Sequence, residues 1–445
     1  MSTLWLPCTQ MQTLEQTPAL ELVKGQGSLL FDKQGKPYLD MISSWWVNLH
    51  GHCHPYINER IKQQLDTLEH TLIAGIVHPP IQQLADKLVE ITPAPLTKAF
   101  FADSGSAATE VALKMSLQYW DQQGQPQKTK FVSLEHGYHG ETIGSLSVTD
   151  IPLFSHQYRA MLVQQIRVPS PAALFKSPEI SVAEHEAECL TKLEAVLQAQ
   201  AEQICAIIIE PLVQGAAGMA MYSMDYLVSL VQLAKTFNIH VIFDEIAVGF
   251  GRTGHMFVCE QLQAVDSELC PDFVCLSKGL TAGYLPMSCV MTTDEVYNTF
   301  VDENVAKGFL HSHSFTGNPL AATAGLASLE LFEQHQIIQA NQTLITAMAQ
   351  GLQDLVESDL PIILPRQTGM IVAFTLDFAE TRGKELAQFC LQQGVMIRPI
   401  GNHVYLIPPY CTTVEQLAQV FGSLTQGINL LAQTTATSSP SIALA

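Results

Sequence analysis

The sequence predicts an α/β protein built on a mostly parallel sheet, and three observations carry that expectation. Six short runs, at 98–102, 130–135, 204–210, 240–245, 272–277 and 287–292, are mostly apolar throughout rather than alternating. That is the pattern of strands covered on both faces by helices. Longer helical stretches such as 106–122 and 224–237 lie between them, the rhythm of strand–helix–strand units. The last quarter changes character. A stretch at 320–357 without strong breakers reads as helical, and "PIILP", "GMIVAFTL" and "GVMIRPIGNHVYLIPPY" then read as strands of a smaller sheet.

Length and composition agree with that plan. A chain of 445 residues is long enough for two or three domains. The expected division is an N-terminal segment 1–55 joining the small domain, a large domain 56–325, and a small α+β domain 326–445. Segment 169–186, with Pro169, Pro171 and Pro178, reads as a surface excursion, and the polar tail 433–445 as a fraying end. Hydrophobic residues make up 47% and charged residues 14%, so a packed globular protein is expected rather than a disordered one. A formal charge of -20 argues against nucleic acid or an anionic membrane surface as partner. No apolar stretch is long enough to span a membrane, and "MSTLWLPCTQMQ" lacks the basic start and apolar run of a signal peptide. The ten cysteines are scattered without a C-x-x-C pair, which suits reduced thiols and a cytoplasmic location. Cys53, between His52 and His54, fits no usual zinc spacing, so a structural role and no metal are expected.

Three segments carry chemistry. "FFADSGSAATEVALKM" runs from a strand through Ser104, Gly105 and Ser106 into a helix. Small residues and unpaired N–H groups at a helix start suit a phosphate, although a serine-capped helix reads the same way. "HVIFDEIAVGFGRTG" leaves Asp244 at the end of a buried strand, where ligands of open α/β sheets bind. Asp244 suits a protonated pyridine nitrogen, or it caps the next helix. In "DFVCLSKGLTAGYLP", Lys278 closes an apolar strand. A buried amine has a lowered pKa and serves as nucleophile and proton shuttle, whereas a snorkelling lysine would need no such role. Tyr138 in "EHGYHGET" follows a strand and is placed in sequence to cover a planar ring. A phosphate cradle, a pyridinium partner and an imine-forming lysine are together what pyridoxal 5'-phosphate requires.

With these motifs the sequence resembles the class III (ω-type) aminotransferases of fold type I over nearly its whole length. The stretches "DMISSWWVNLHGH", "ADSGSAATEVALKMSLQYW", "IIIEPLVQGAAGM", "DEIAVGFGRTG" and "GNPLA" carry the likeness. The Ser-Ser-Trp-Trp run and the "IRP…YLIPPY" ending are similar to the branch that aminates 8-amino-7-oxononanoate in biotin biosynthesis. The resemblance implies a pyridoxal-phosphate transferase fold with a seven-stranded-type sheet and a homodimer with shared active sites. It also implies S-adenosyl-L-methionine as amino donor. By position, it makes Lys278 the imine-forming lysine, Asp244 the pyridine-nitrogen partner, Gly105 and Ser106 the phosphate loop, and Tyr138 the stacking ring. Ser314 stands where a hydroxyl reaches the neighbouring subunit's phosphate. Trp45, Arg398 and Tyr405 match substrate-pocket positions, Arg398 pairing with a carboxylate. Glu210 and Gln214 flank the cofactor in related enzymes. Cys8 replaces a family tyrosine, Glu141 an aspartate, and His313 and Ser314 a Pro-Thr pair. These departures leave lysine or another amine open as donor. Other ω-aminotransferases, and a cofactor-binding regulator without turnover, are the alternative readings. The turn "GLTAG" reads as backbone passing close to cofactor or partner subunit.

Overall fold

The computed structural model describes residues 3–16 and 18–438. Near the N-terminus β1 (Leu22–Gln26), β2 (Leu29–Asp32) and β3 (Pro37–Asp40) form an antiparallel meander. There follow β4 (Leu96–Ala102), β5 (Lys130–Leu134), β6 (Ile166–Val168) and β7 (Ile204–Ile209). A short hairpin of β8 (Val213–Gln214) and β9 (Ala220–Met221) precedes β10 (His240–Asp244), β11 (Phe273–Leu276) and β12 (Ser288–Thr293). The last quarter supplies β13 (Ile362–Thr368), β14 (Ile371–Leu376), β15 (Val395–Met396) and β16 (His403–Leu406).

All six expected strands lie in one seven-stranded sheet of order β4-β12-β11-β10-β7-β5-β6. Strand β12 runs antiparallel to both neighbours and the other pairings are parallel. The central strands are buried along their whole length, β7, β10 and β11 without exception, which is why their sequences lack alternation. Register then fixes the working edge. Asp244 lies opposite Cys275 in the β10–β11 pair, and Phe243 lies opposite Ile209 in the β10–β7 pair. Glu210, Asp244 and Lys278 therefore leave the sheet side by side at its carboxyl edge.

The N-terminal segment and the last quarter are joined through a sheet. Strand β15 pairs in parallel with β3, with Val395 opposite Leu39 and Met396 opposite Asp40, while β13, β14 and β16 form a separate antiparallel sheet. Three expectations are corrected. The helical stretch 320–357 is two helices, Pro319–Gln334 and Ile337–Glu357, broken where Gln336 takes φ 47°. Segment 169–186 is not wholly superficial, because Ser170 and Ala172 are buried and Ser170 hydrogen-bonds Gln214 beneath the hairpin. The tail continues the helix Val414–Ser438; residues 439–445 lie outside the described residues.

Candidate active site

The helix Gly105–Gln122 begins beside the carboxyl edge of the sheet, with Ser104 capping the N–H of Ala107 at 3.3 Å. Its first turn is built for close approach. A Cβ on Gly105 would sit 3.1 Å from Ile246, two residues after Asp244. Ser106 Oγ accepts the N–H of Glu141 at 3.1 Å. Gly140 has φ 121°, and a Cβ there would lie 2.2 Å from Ser106 Oγ, so only glycine fits. The 135–142 loop is thereby pinned to the helix start.

That loop also supplies the aromatic face. Tyr138 is half-buried, donates its hydroxyl to Glu141 Oε1 at 3.0 Å, and donates its N–H to Glu210 at 2.9 Å. Burial, then the Glu141 carboxylate, pushes the Tyr138 phenol well up. The next residue, His139, was not singled out from sequence and is 2% exposed. Its Nδ1 meets Asp244 Oδ2 at 2.8 Å. Asp244 Oδ1 accepts the N–H of Ile246 at 3.2 Å, so one carboxylate oxygen is oriented by a ring and the other by backbone. A histidine inside a glycine-rich loop after a strand was the available signal, but its partner lies 105 residues away.

Lys278 follows β11 with φ 43°, a left-handed conformation that lifts its side chain off the strand line. Its Nζ sits 4.4 Å from the centre of the Trp46 ring and has no hydrogen bond or ion pair among the described residues. Burial lowers the Lys278 amine to about 8, against the opposing pull of Asp244 and Glu210. Glu210, 6% exposed, accepts N–H groups from Tyr138 and Gly215, yet burial pushes its carboxyl up to about 7. Gln214, fully buried, bonds Ser170 and the carbonyl of Glu135 and so braces the loop from below. The close approaches of "GLTAG" are made within the chain: a Cβ on Gly279 would touch Leu49 and Phe250, and one on Gly283 would touch Val47.

Residues 43–46 make the opposite wall. Ser43, Ser44, Trp45 and Trp46 have φ of 47°, 47°, 76° and 71°, a left-handed turn that costs roughly 1–2 kcal/mol per residue. Trp46 turns inward beneath Lys278 and edges onto Tyr405 at 6.0 Å. Trp45, 44% exposed, turns outward and carries the Arg398 guanidinium 4.9 Å above its ring. Arg398 is exposed, reaches the carbonyl of Cys8 at 3.5 Å, and makes no ion pair among the described residues. Tyr405 is buried, and burial raises its phenol while Arg398 opposes the shift. The fold thus gathers Lys278, Asp244, Tyr138, Gly105, Ser106, Trp45, Arg398 and Tyr405 around one edge of the large sheet. Ser314 is not among them. It is exposed, and its carbonyl accepts from His70 at 2.8 Å.

The donor set answers to pyridoxal phosphate. A helix start shaped by glycine suits the phosphate. A carboxylate held at the strand end suits a protonated ring nitrogen, and a lysine of lowered pKa with no hydrogen bond or ion pair among the described residues suits the aldehyde carbon. His52 and His54 serve the fold instead: His52 bonds Asp40 and Asn48, and the His54 carbonyl accepts from Tyr284.

Comparison with known proteins agrees with this geometry. The family model described as aminotransferase class-III matches residues 11–428. The adenosylmethionine-8-amino-7-oxononanoate aminotransferase of Helicobacter pylori is 42% identical over 435 residues, covering 95% of each chain. Its namesake from Geobacter sulfurreducens is 38% identical, covering 96% of this chain and 95% of the relative. The crystal structure of the Methanocaldococcus jannaschii enzyme of that name superposes with TM-score 0.90 at 35% identity, covering 96% of this chain and 97% of the other. An amine transaminase from an uncultivated Pseudomonas species, solved in its pyridoxal-phosphate-bound form, gives TM-score 0.90 at 28% identity over 97% and 99%. The chain belongs to the class III aminotransferases.

Proposed function

We propose that this protein is the pyridoxal-phosphate-dependent aminotransferase that converts 8-amino-7-oxononanoate to 7,8-diaminononanoate in biotin biosynthesis, with S-adenosyl-L-methionine as amino donor. The observation that carries the chemistry is the pairing of Asp244 and Lys278 at the ends of adjacent parallel strands. The observation that carries the substrate is the double-tryptophan turn with Arg398 above it, together with relatives bearing that name at 38–42% identity.

When bound, pyridoxal phosphate supplies an electron sink for the carbon that loses its proton. The N–H groups at the start of helix Gly105–Gln122, with Ser106, would hold its phosphate. Asp244, oriented by His139, would hold a proton at its ring nitrogen, and Tyr138 would pack against its ring. Lys278 would attach it and, as a free amine, would move a proton at the substrate carbon as general base and acid. Its lowered pKa leaves a useful fraction neutral near pH 7. Arg398 orients the substrate carboxylate, and Trp45, Trp46 and Tyr405 exclude water around the chain.

A homodimer with shared sites completes the proposal. Leu72, Ile76, Val77, Leu310 and Phe315 are all at least half exposed, Phe315 at 64%. They sit on two loops tied together by the His70–Ser314 and Asn318–Glu69 hydrogen bonds. A second copy would cover this apolar face and receive the hydroxyl of Ser314. The β3–β15 pairing supports joining segment 1–55 to the small domain 326–445 around the large domain 56–325, and helix Pro319–Gln334 crosses the second boundary. A cytoplasmic location fits ten free cysteines.

Mixing the holoenzyme with each candidate donor and following the cofactor's visible band separates the readings. Bleaching by S-adenosyl-L-methionine, and recovery with 8-amino-7-oxononanoate yielding 7,8-diaminononanoate by mass spectrometry, is the expected result. Bleaching by lysine alone reassigns the donor. Recovery with pyruvate but never with 8-amino-7-oxononanoate reassigns the acceptor, and a band unmoved by every amine removes turnover altogether. Sedimentation giving a monomer, with no activity change on Ser314→Ala, would remove the shared site.

A further inference from the structure

The left-handed Ser43–Trp46 turn contains no glycine, so something outside it must hold it. Asp40, at the end of β3 and fully buried, does so from both carboxylate oxygens. Oδ1 accepts the N–H of Ile42 at 3.3 Å, and Oδ2 accepts the hydroxyl of Ser44 at 2.8 Å. His52 Nε2 lies 3.0 Å from the same Oδ2. The direction of that last bond is fixed by Asn48. Gly51 donates its N–H to Asn48 Oδ1 at 2.8 Å, which turns the amide nitrogen toward His52 Nδ1 at 3.0 Å. An amide nitrogen only donates, so Nδ1 accepts and the ring proton sits on Nε2, pointing at Asp40. Asp40 thus accepts three donors, one of them delivered by the Asn48–His52 relay, and through the other two it grips the turn at Ile42 just before it and at Ser44 within it. Ser43 Oγ on the carbonyl of Ile407, at 2.7 Å, anchors it from the other side.

We propose that Asp40, oriented by His52 and Asn48, is a positioning residue that keeps this turn left-handed so that Trp45 presents Arg398 to the substrate carboxylate. The inference rests on the reading of Arg398 as the carboxylate partner. The observed backbone sets the two indole directions, Trp46 under Lys278 and Trp45 under Arg398, and another backbone conformation at 43–46 would aim them elsewhere. Asp40 does not touch substrate or cofactor in this scheme. Its contribution is read in recognition and not in cofactor attachment.

The test compares a carboxylate-bearing substrate with its methyl ester in either half-reaction: 8-amino-7-oxononanoate, or any other acid the wild-type enzyme accepts. Using whichever acid reacts keeps the test independent of the identity of the natural substrate. Asp40→Asn should lower the acid-to-ester ratio of kcat/KM by about 10- to 100-fold, the scale of loss from a misplaced binding group. Most of the loss should fall in KM, with the cofactor's visible band unchanged. Adding Ser44→Gly should restore part of the ratio, because glycine adopts the left-handed turn without help. Equal losses for acid and ester, or a double variant no better than Asp40→Asn, would overturn the proposal. Should Asp40→Asn not fold, His52→Gln, which keeps a donor, should hold the ratio and His52→Phe should lower it. A His52→Phe enzyme with the wild-type ratio overturns the proposal equally.

Discussion

Replacing Asp244 by asparagine should have opposite effects on two steps that both involve Lys278. In the folded chain burial holds the amine at about 8 instead of 10.5. At pH 7 that leaves about one amine in ten neutral, against about one in 3000 for an ordinary lysine, an advantage of about 300-fold in nucleophile. The Asp244 carboxylate works against this gain, because a nearby negative charge favours the ammonium. Removing it should move the Lys278 titration further down. Turnover should fall nonetheless, by about 10²- to 10⁴-fold, because the ring-nitrogen proton loses its partner. The assay is stopped-flow mixing of apoenzyme with pyridoxal phosphate across pH, following growth of the visible band. For the wild type the rate constant should climb tenfold per pH unit and bend near pH 8. For Asp244→Asn the bend should lie lower. A climb that continues unbent to the range of a free lysine, or a bend that moves up in the variant, would refute the reasoning.

The remaining predictions concern the shell around this pair. Gly140→Ala places a Cβ 2.2 Å from Ser106 Oγ at φ 121°; strain of about 1–3 kcal/mol should lower Tm and weaken cofactor retention on dialysis. His139→Phe removes the 2.8 Å contact to Asp244. It should lower kcat with little change in KM, and an unchanged kcat would remove the orienting role. Glu210, raised from 4.5 to about 7, gives stability that is complete below its unfolded pKa and is lost as pH rises through about 7. The apoenzyme's Tm should therefore fall from about pH 5 to about pH 8, and fall less in Glu210→Gln, as measured by scanning calorimetry.

Much of this candidate site was legible because the residues proposed to hold the cofactor stand at boundaries that sequence displays. Asp244 directly follows an apolar run and Lys278 follows one after a single serine, and a charge at such a place has few explanations. Gly105 and Ser106 open a helix whose cap is local. The residues that escaped notice depend on contacts distant in sequence. His139 is explained only by a strand 105 positions on. Strand β6 has three residues and no pattern to show. The break at Gln336 carries neither glycine nor proline, and its left-handed backbone follows from how two helices must diverge. The Ser43–Trp46 turn is the extreme case, since local propensity points away from it and a buried carboxylate overrides that propensity.

Arg252 shows why recognition and chemistry can sit in different parts of the chain and still act together. Its side chain is 1% exposed and has no ion pair among the described residues. It donates to the carbonyls of Pro408 and Asn48 at 2.7 and 3.1 Å and lies 4.9 Å from the Tyr410 ring. A buried cation held by two carbonyls and a ring, with its Nε left without a hydrogen-bond partner among the described residues, is a costly tie, and burial does lower its pKa. What it ties is specific. The glycine loop after Asp244, the segment after the double tryptophan, and the "YLIPPY" strand end meet at this one guanidinium. A planar fork can bond two divergent carbonyls at once, which a single ammonium cannot do in the same space. The same Asn48 that bonds Arg252 through its carbonyl orients His52 through its side chain. The walls proposed to recognise substrate are thus indexed to the sheet edge that holds Asp244 and Lys278. That indexing lets a strained turn on a separate segment be placed as firmly as a residue on a strand.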